Sequence, residues 1–357
     1  MFSILNQLRR WTGRAGIALA ASFVACASAS AAAPQQRTQA PGFYRMMLGD
    51  FEVTALLDGT HDFPVREVLS RPAPPPATAG HVALSESNPG EADALLAAAH
   101  LAAPVEGSIN AFLINTGTRL VLIDSGAGAL YGAEGGHLLA NLRAAGYRPE
   151  QVDDVLLTHL HADHVGGVVD QGRIVFPNAT VHVSREDERY WLSPANRATA
   201  PALLHAMFDA ASGSLKPYLA AQRLRTFEAG AEIVPGIHAE ADAGHTPGHT
   251  IYRVQSRGQT LIAWGDTVHV APVQFADPGV TVRYDSDAAQ AAQQRLRLYA
   301  DAARQGHWIA AAHIAFPGLG HIGAGASGFR WIPANYTTQL APPPSPRPAR
   351  DAGAAAR

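Results

Sequence analysis

The sequence predicts an α/β protein, an αββα sandwich with two sheets face to face and helices over both outer faces. Three observations carry this expectation. Strand-length apolar runs open each half of the chain, with helical patterns interleaved between them. Histidines and aspartates recur just beyond the ends of several of those runs. Hydrophobic residues make up 47% of the 357 and charged residues 16%, enough apolar material for a layered core and too little charge for a coiled coil or a disordered chain.

At the start of the chain, Arg9, Arg10 and Arg14 form a basic segment, residues 15–27 an apolar stretch, and Ala27-Ser28-Ala29 through Ala33 offer small-residue cleavage sites. Residues 1–33 are therefore expected to be an export signal, with the mature protein periplasmic or secreted. Arg9-Arg10 leaves open whether the route is general or twin-arginine secretion. Cleavage would remove three arginines and no acid, moving the net charge from −3 to −6, and would take away Cys26, the only cysteine. The mature chain would then have no disulfide, thiolate ligand or cysteine nucleophile. Acylation of Cys26 as a lipoprotein is the alternative.

One catalytic domain is expected over 34–340 and a disordered Pro-rich tail over 341–357. Residues 51–57 read as a strand ending in the turn Asp58-Gly59. Residues 71–107 read as a long loop with one short helix, a candidate pocket wall. Strands are expected at 111–115 and 120–123, a helix at 138–145 closed by Gly146, and an apolar strand at 152–157. Further strands are expected at 180–183, 251–254, 261–264 and 308–312, with a helix capped by Ser286 and ended by Gly306.

The strand at 152–157 runs into Thr158-His159-Leu160-His161-Ala162-Asp163-His164. Imidazole and carboxylate suit Zn²⁺ and similar divalent ions. Four such groups in six residues exceed one ion's usual share from so short a segment, so they can divide between two ions. His245, Asp266 and His313 stand in the same setting, each at or just beyond a strand end. Alone each is weak; together they complete two coordination spheres.

The His-x-His-x-Asp-His loop, followed in order by His245, Asp266 and His313, resembles the metallo-β-lactamase superfamily. The stretches Leu48-Gly-Asp-Phe-Glu-Val-Thr-Ala-Leu, Leu120-Val-Leu-Ile-Asp-Ser-Gly-Ala-Gly, Gly244-His-Thr-Pro-Gly-His-Thr and His313-Ile-Ala-Phe-Pro-Gly-Leu-Gly-His-Ile look more closely like its methyl parathion hydrolase branch of secreted enzymes. The resemblance implies two divalent ions, zinc by preference. His159, His161 and His245 would hold one, Asp163, His164 and His313 the other, and Asp266 would bridge them. It implies that Asp124 supports the metal loop from behind, that Tyr131, Trp191 and Phe208 surround a leaving group, with Met207 the alternative to Phe208, and that the enzyme is a homodimer. His249 and His321 match recurrent histidines outside the ligand set and read as structural. His269 stands where acyl-homoserine lactonases often place a tyrosine, three residues after the bridging aspartate, and is the candidate proton donor beside Asp266.

The reaction implied is attack by water activated between the ions on aryl phosphotriesters, on lactones and esters, or on both. A lactonase is the alternative enzyme; a secreted metal- or ligand-binding protein without turnover is the alternative of another class. The mild charge and the single lysine, Lys216, argue against a nucleic-acid partner. The apolar stretch at the start is too short to span a bilayer as a mature helix.

Overall fold

The computed structural model describes residues 33–74, 80–325 and 328–340. The expected signal over 1–33, with Cys26, and the expected tail over 341–357 lie outside the described residues, apart from Ala33 itself. Residues 33–39 contain no helix or strand. The fold proper is the unit from Ala40 onward.

Fourteen strands build two seven-stranded sheets, and in each sheet spatial order follows chain order. The first holds β1 (Phe43–Leu48), β2 (Phe51–Phe63), β3 (Val105–Asn115), β4 (Leu120–Ile123), β5 (Asp154–Leu156), β6 (Thr180–Ser184) and β7 (Leu224–Phe227). The second holds β8 (Glu232–Val234), β9 (Ile237–Ala241), β10 (Thr250–Ser256), β11 (Gln259–Ala263), β12 (Trp308–Ala310), β13 (Leu319–Ala324) and β14 (Phe329–Pro333). β1 to β4 pair antiparallel, β1–β2 and β3–β4 as hairpins, whereas β4 to β7 pair parallel, because a connection crosses over between each of those strands.

Side-chain alternation explains the layering. Along β3, Phe112 and Ile114 join the cluster between the sheets, with Tyr252, Val254 and Ala263 of the second sheet. Ala111 and Leu113 point the other way, into a cluster with Leu138, Leu142, Trp191, Phe208 and Leu215 from helices outside the first sheet. On the far side, Ile251, Ile262 and Ile309 meet Leu298, Tyr299 and Ala302 of the helix Ala288–Gln305. A strand with both faces covered reads as an unbroken apolar run, as Leu120-Val-Leu-Ile does. The αββα sandwich is thus the observed fold.

Three expectations need correcting. Asp58-Gly59 is not a turn: both lie inside β2, where the pairing with β3 shifts register between Leu57 and Gly59. Glycine is needed there because a Cβ would come within 1.9 Å of the Glu134 carbonyl. The segment 71–107 is not a loop with one helix. It contains two short helices, Leu84–Ser87 and Glu91–Ala98, and its strands Leu69–Pro72 and His81–Ala83 form a small sheet with Thr281–Val282. The long helix is capped by Asp287, whose carboxylate accepts from the Gln290 N–H at 2.9 Å, not by Ser286; Gly306 ends it in the left-handed conformation (φ 65°) as expected.

Candidate metal centre

The metal-type side chains come from both sheets and converge between them. His159, His161, Asp163 and His164 follow β5; His245 lies between β9 and β10; Asp266 follows β11; His313 follows β12. All seven are buried. His159, His161, His245 and Asp266 can present one ligand atom each within 4.8 Å of one another, and so can Asp163, His164 and His313. Asp266 lies between the groups: its Oδ1 is 2.9 Å from His164 Nε2 and 3.0 Å from His313 Nε2, and its Oδ2 is 3.1 Å from His245 Nε2.

A partner behind it sets how an imidazole faces the centre. His245 Nδ1 lies 2.7 Å from Asp285 Oδ1, His164 Nδ1 2.9 Å from Asp124 Oδ2, and His313 Nδ1 2.9 Å from the Ser108 carbonyl. Asp124, at a left-handed φ of 58°, also accepts from the Thr158 N–H at 2.8 Å, so it ties β4 to the start of the metal loop. His249 is structural as expected. Its Nδ1 lies 3.1 Å from the Asp242 carbonyl, and its Nε2 accepts from the Asp266 N–H at 3.1 Å. His321, with Nδ1 2.9 Å from the His307 carbonyl, lies elsewhere.

These residues fit divalent ions on their own chemistry. Nε2 of His159, His161 and His164 and Oδ1 of Asp266 are buried and make no well-aligned hydrogen bond, close as the last two lie, which in a folded interior is unfavourable unless something else binds them. Burial, helped by neighbouring imidazoles, pushes His159 and His161 well below the usual histidine range, so both carry free lone pairs at neutral pH. Imidazole with carboxylate is a donor set for zinc and its neighbours.

His269 reaches the centre too. Its Nε2 is 3.0 Å from Asp266 Oδ2, its ring stacks on His313 with centroids 5.3 Å apart, and it can join Asp266 and His313 as a third ligand-type group. Burial lowers it to about 4, so it is a neutral imidazole at pH 7.

A cavity of about 170 Å³ opens beside Asp163, Asp266, His161, His269 and His313. Its other walls are His61, Phe63, Pro64 and Val68, with Tyr131, Met207 and Tyr284. Of the three expected pocket aromatics, only Tyr131 lines it. Trp191 and Phe208 are each 1% exposed and belong to the core, with Trp191 5.0 Å behind the His161 ring and 4.6 Å from Phe208. The helix His205–Ala220 turns Met207 to the cavity and Phe208 inward, so the aromatic slot expected of Trp191 and Phe208 is absent from this cavity. Sequence reading missed His61, Phe63, Pro64, Val68, Tyr284 and Asp285. The segment 63–68 and the stretch before the long helix gave no chemical pattern, and pairing of the small sheet brings Val68 and Tyr284 near each other.

Buried imidazoles and carboxylates around a space that reaches two adjacent ligand groups make this a dinuclear divalent-metal centre of hydrolase type. The family model of the Metallo-beta-lactamase superfamily matches residues 104–303, and the chain belongs to that superfamily. It is similar to the solved structure of hydrolase AbOPH of the β-lactamase superfamily, 37% identical over 84% of this chain and 100% of that one, with a TM-score of 0.75. It is also similar to AidC, a dizinc quorum-quenching lactonase solved with a homoserine product, 26% identical over 83% of this chain and 98% of that one, with a TM-score of 0.72.

Curated relatives include ribonuclease TTHA0252 of Thermus thermophilus, 30% identical over 48% of this chain and 38% of the relative. N-acyl homoserine lactonase of Bacillus cereus is 23% identical over 44% of this chain and 54% of the relative. The chain spans about half or less of the length of these curated relatives. Among the described residues no helix is long and apolar enough to cross a membrane.

Proposed function

We propose that the chain is a dizinc hydrolase of small lactones and activated esters, exported by its first 33 residues. The observation that carries the substrate class is the cavity. At about 170 Å³ it is smaller than the roughly 300–1,000 Å³ of drug-sized ligand sites, and the buried Trp191 and Phe208 do not widen it for an aryl leaving group. The lactonase AidC and the Bacillus lactonase among its relatives support the same class.

In this reading His159, His161 and His245 hold one ion, Asp163, His164 and His313 the other, and Asp266 is shared. Bound ions of this kind supply activated water at neutral pH and polarise the oxygen of the bond that breaks. The chain's own residues do the positioning. Asp285 holds His245, Asp124 holds His164, and the Ser108 carbonyl holds His313, each through the ring nitrogen that faces away from the centre. Neutral His269 beside Asp266 offers a hydrogen bond to a developing negative oxygen. Phe63, Pro64 and Val68 give the carbon skeleton of the substrate an apolar wall and exclude water from it.

A second reading has one observation in its favour: Tyr131 does line the cavity, as the likeness to methyl parathion hydrolase implies, so aryl phosphotriesters are secondary substrates. The test is a panel of γ- and δ-lactones, p-nitrophenyl esters and dimethyl aryl phosphotriesters on one zinc-loaded preparation. Lactones or esters should lead in kcat/KM by about tenfold, about 1.4 kcal/mol of transition-state stabilisation. A phosphotriester lead of that size would reverse the assignment.

A further inference from the structure

We infer that Tyr284, seconded by Tyr131, donates a hydrogen bond to the oxygen that leaves when the acyl C–O bond breaks, an inference that rests on the lactone and ester reading above. Tyr284 follows Thr281–Val282, which pairs with Leu69 and Ser70, so the small sheet fixes where it stands. Its ring lies 5.8 Å from that of His245, 6.0 Å from His161 and 5.6 Å from His269, steeply tilted to all three. It lines the same cavity as Asp163 and Asp266.

The hydroxyl of Tyr284 makes no hydrogen bond among the described residues. Several other tyrosines of the fold use theirs: Tyr252 donates to the Leu157 carbonyl at 2.7 Å, Tyr147 to Glu52 at 2.6 Å and Tyr44 to the Asn335 carbonyl at 2.8 Å. Tyr299 also lacks a partner, but it lies in the core against Trp264 and Phe275, away from the cavity. Tyr284 is thus a donor left free where a substrate would sit. Tyr131 adds a second phenol on the cavity wall, packed edge-on against His61 at 5.6 Å, with its hydroxyl toward the Asp163 carboxylate.

Leaving-group basicity sets the chemistry. Phenols, with an ordinary pKa near 10, are neutral donors at pH 7. In hydrolysis a bond forms between the water oxygen and the acyl carbon, and the bond from that carbon to the leaving oxygen breaks. Of the two water protons, one ends on the leaving alcohol and one goes to solvent; the phenol keeps its own. A donor held against the leaving oxygen helps most when that oxygen is a basic alkoxide, as in an aliphatic lactone. It helps least for nitrophenolate, which carries its charge unaided.

The test uses the full-length zinc-loaded enzyme with Y284F, Y131F and the double variant, which remove hydroxyls and keep the rings. Y284F should lower kcat on aliphatic lactones by about tenfold or more, while p-nitrophenyl ester hydrolysis changes by less than about threefold. Affinity for the hydroxy-acid product, measured by calorimetry, should fall in parallel, with metal content and thermal midpoint unchanged. Equal losses on both substrate types, no loss on either, or a lost metal ion in Y284F would overturn the inference. If the unmodified enzyme cleaves no lactone or ester at all, the functional reading falls first and takes this inference with it.

Discussion

The Asp285 carboxylate lies 2.7 Å from Nδ1 of His245, and the His245 Nε2 lies 3.1 Å from Asp266. Asp285 thus orients a metal-type imidazole without facing the cavity. Asp285→Ala should weaken binding of the ion at His245 by about 10–100-fold, the usual range for loss of such a supporting carboxylate. Competition with a chelating indicator measures it; unchanged affinity would show that Asp285 only packs.

Asp266 is the side chain shared between the two groups. Asp266→Ala should drop the metal content from two ions per chain to one or none and remove most activity, with the fold retained. Elemental analysis alongside circular dichroism checks this. Full activity with a single ion would refute the shared role.

Asp58 has no place in the chemistry but a large one in stability. Its carboxylate accepts from the backbone N–H groups of Ala127 at 2.9 Å, Gly136 at 3.0 Å, Leu138 at 3.1 Å and Gly128 at 3.3 Å. These straddle the turn that carries Tyr131. Asp58→Ala leaves several donors without a partner and should destabilise by about 2–4 kcal/mol. Urea unfolding reads this directly; a change under about 0.5 kcal/mol, the size usual for surface substitutions, would mean that water replaces the carboxylate.

Asp187 gives a pH dependence with a definite sign. Burial pushes its carboxyl up to about 6, against hydrogen bonds from the Gly248 N–H at 2.7 Å and Thr246 Oγ at 2.9 Å. The folded value lies above that of the unfolded chain, so the native state holds the extra proton. Its stabilising contribution is complete below about pH 4 and is lost as pH rises through about 6. Asp187→Asn does not titrate, so it should destabilise more at pH 4 than at pH 8. Unfolding at the two pH values decides it; the opposite order would place the folded pKa below the unfolded one.

The proposed export over residues 1–33 makes a chemical prediction as well. Protein isolated from the native host should begin between Ser30 and Gln35 and be recovered outside the cytoplasm. An intact Met1 on cytoplasmic protein would argue against export.

The fold was legible in the sequence because its central strands are covered on both faces: Leu120-Val-Leu-Ile could hardly be anything else. The seven metal-type residues were legible because each is an imidazole or a carboxylate at or just past a strand end, as Asp266 is in Trp264-Gly-Asp-Thr. The walls of the cavity were not. Whether Met207 or Phe208 faces it depends on the rotation of one helix, which composition does not set. Val68 and Tyr284 come together only because strands distant in the chain pair in the small sheet. Asp58-Gly59 misled because the pair is a strong turn signal locally, and tertiary contact with Glu134 turned it into a bulge instead.

Spatial order follows chain order in each sheet, so the first seven strands are synthesised before the second seven begin. A ribosome that has just released Phe227 has produced a complete first sheet and four of the metal-type side chains, His159 to His164, but none of those contributed by the second. His313 emerges late, after the long helix and β12. The full set of metal-type side chains therefore exists only once almost the whole sandwich has been made, and it is drawn from both contiguous halves of the molecule.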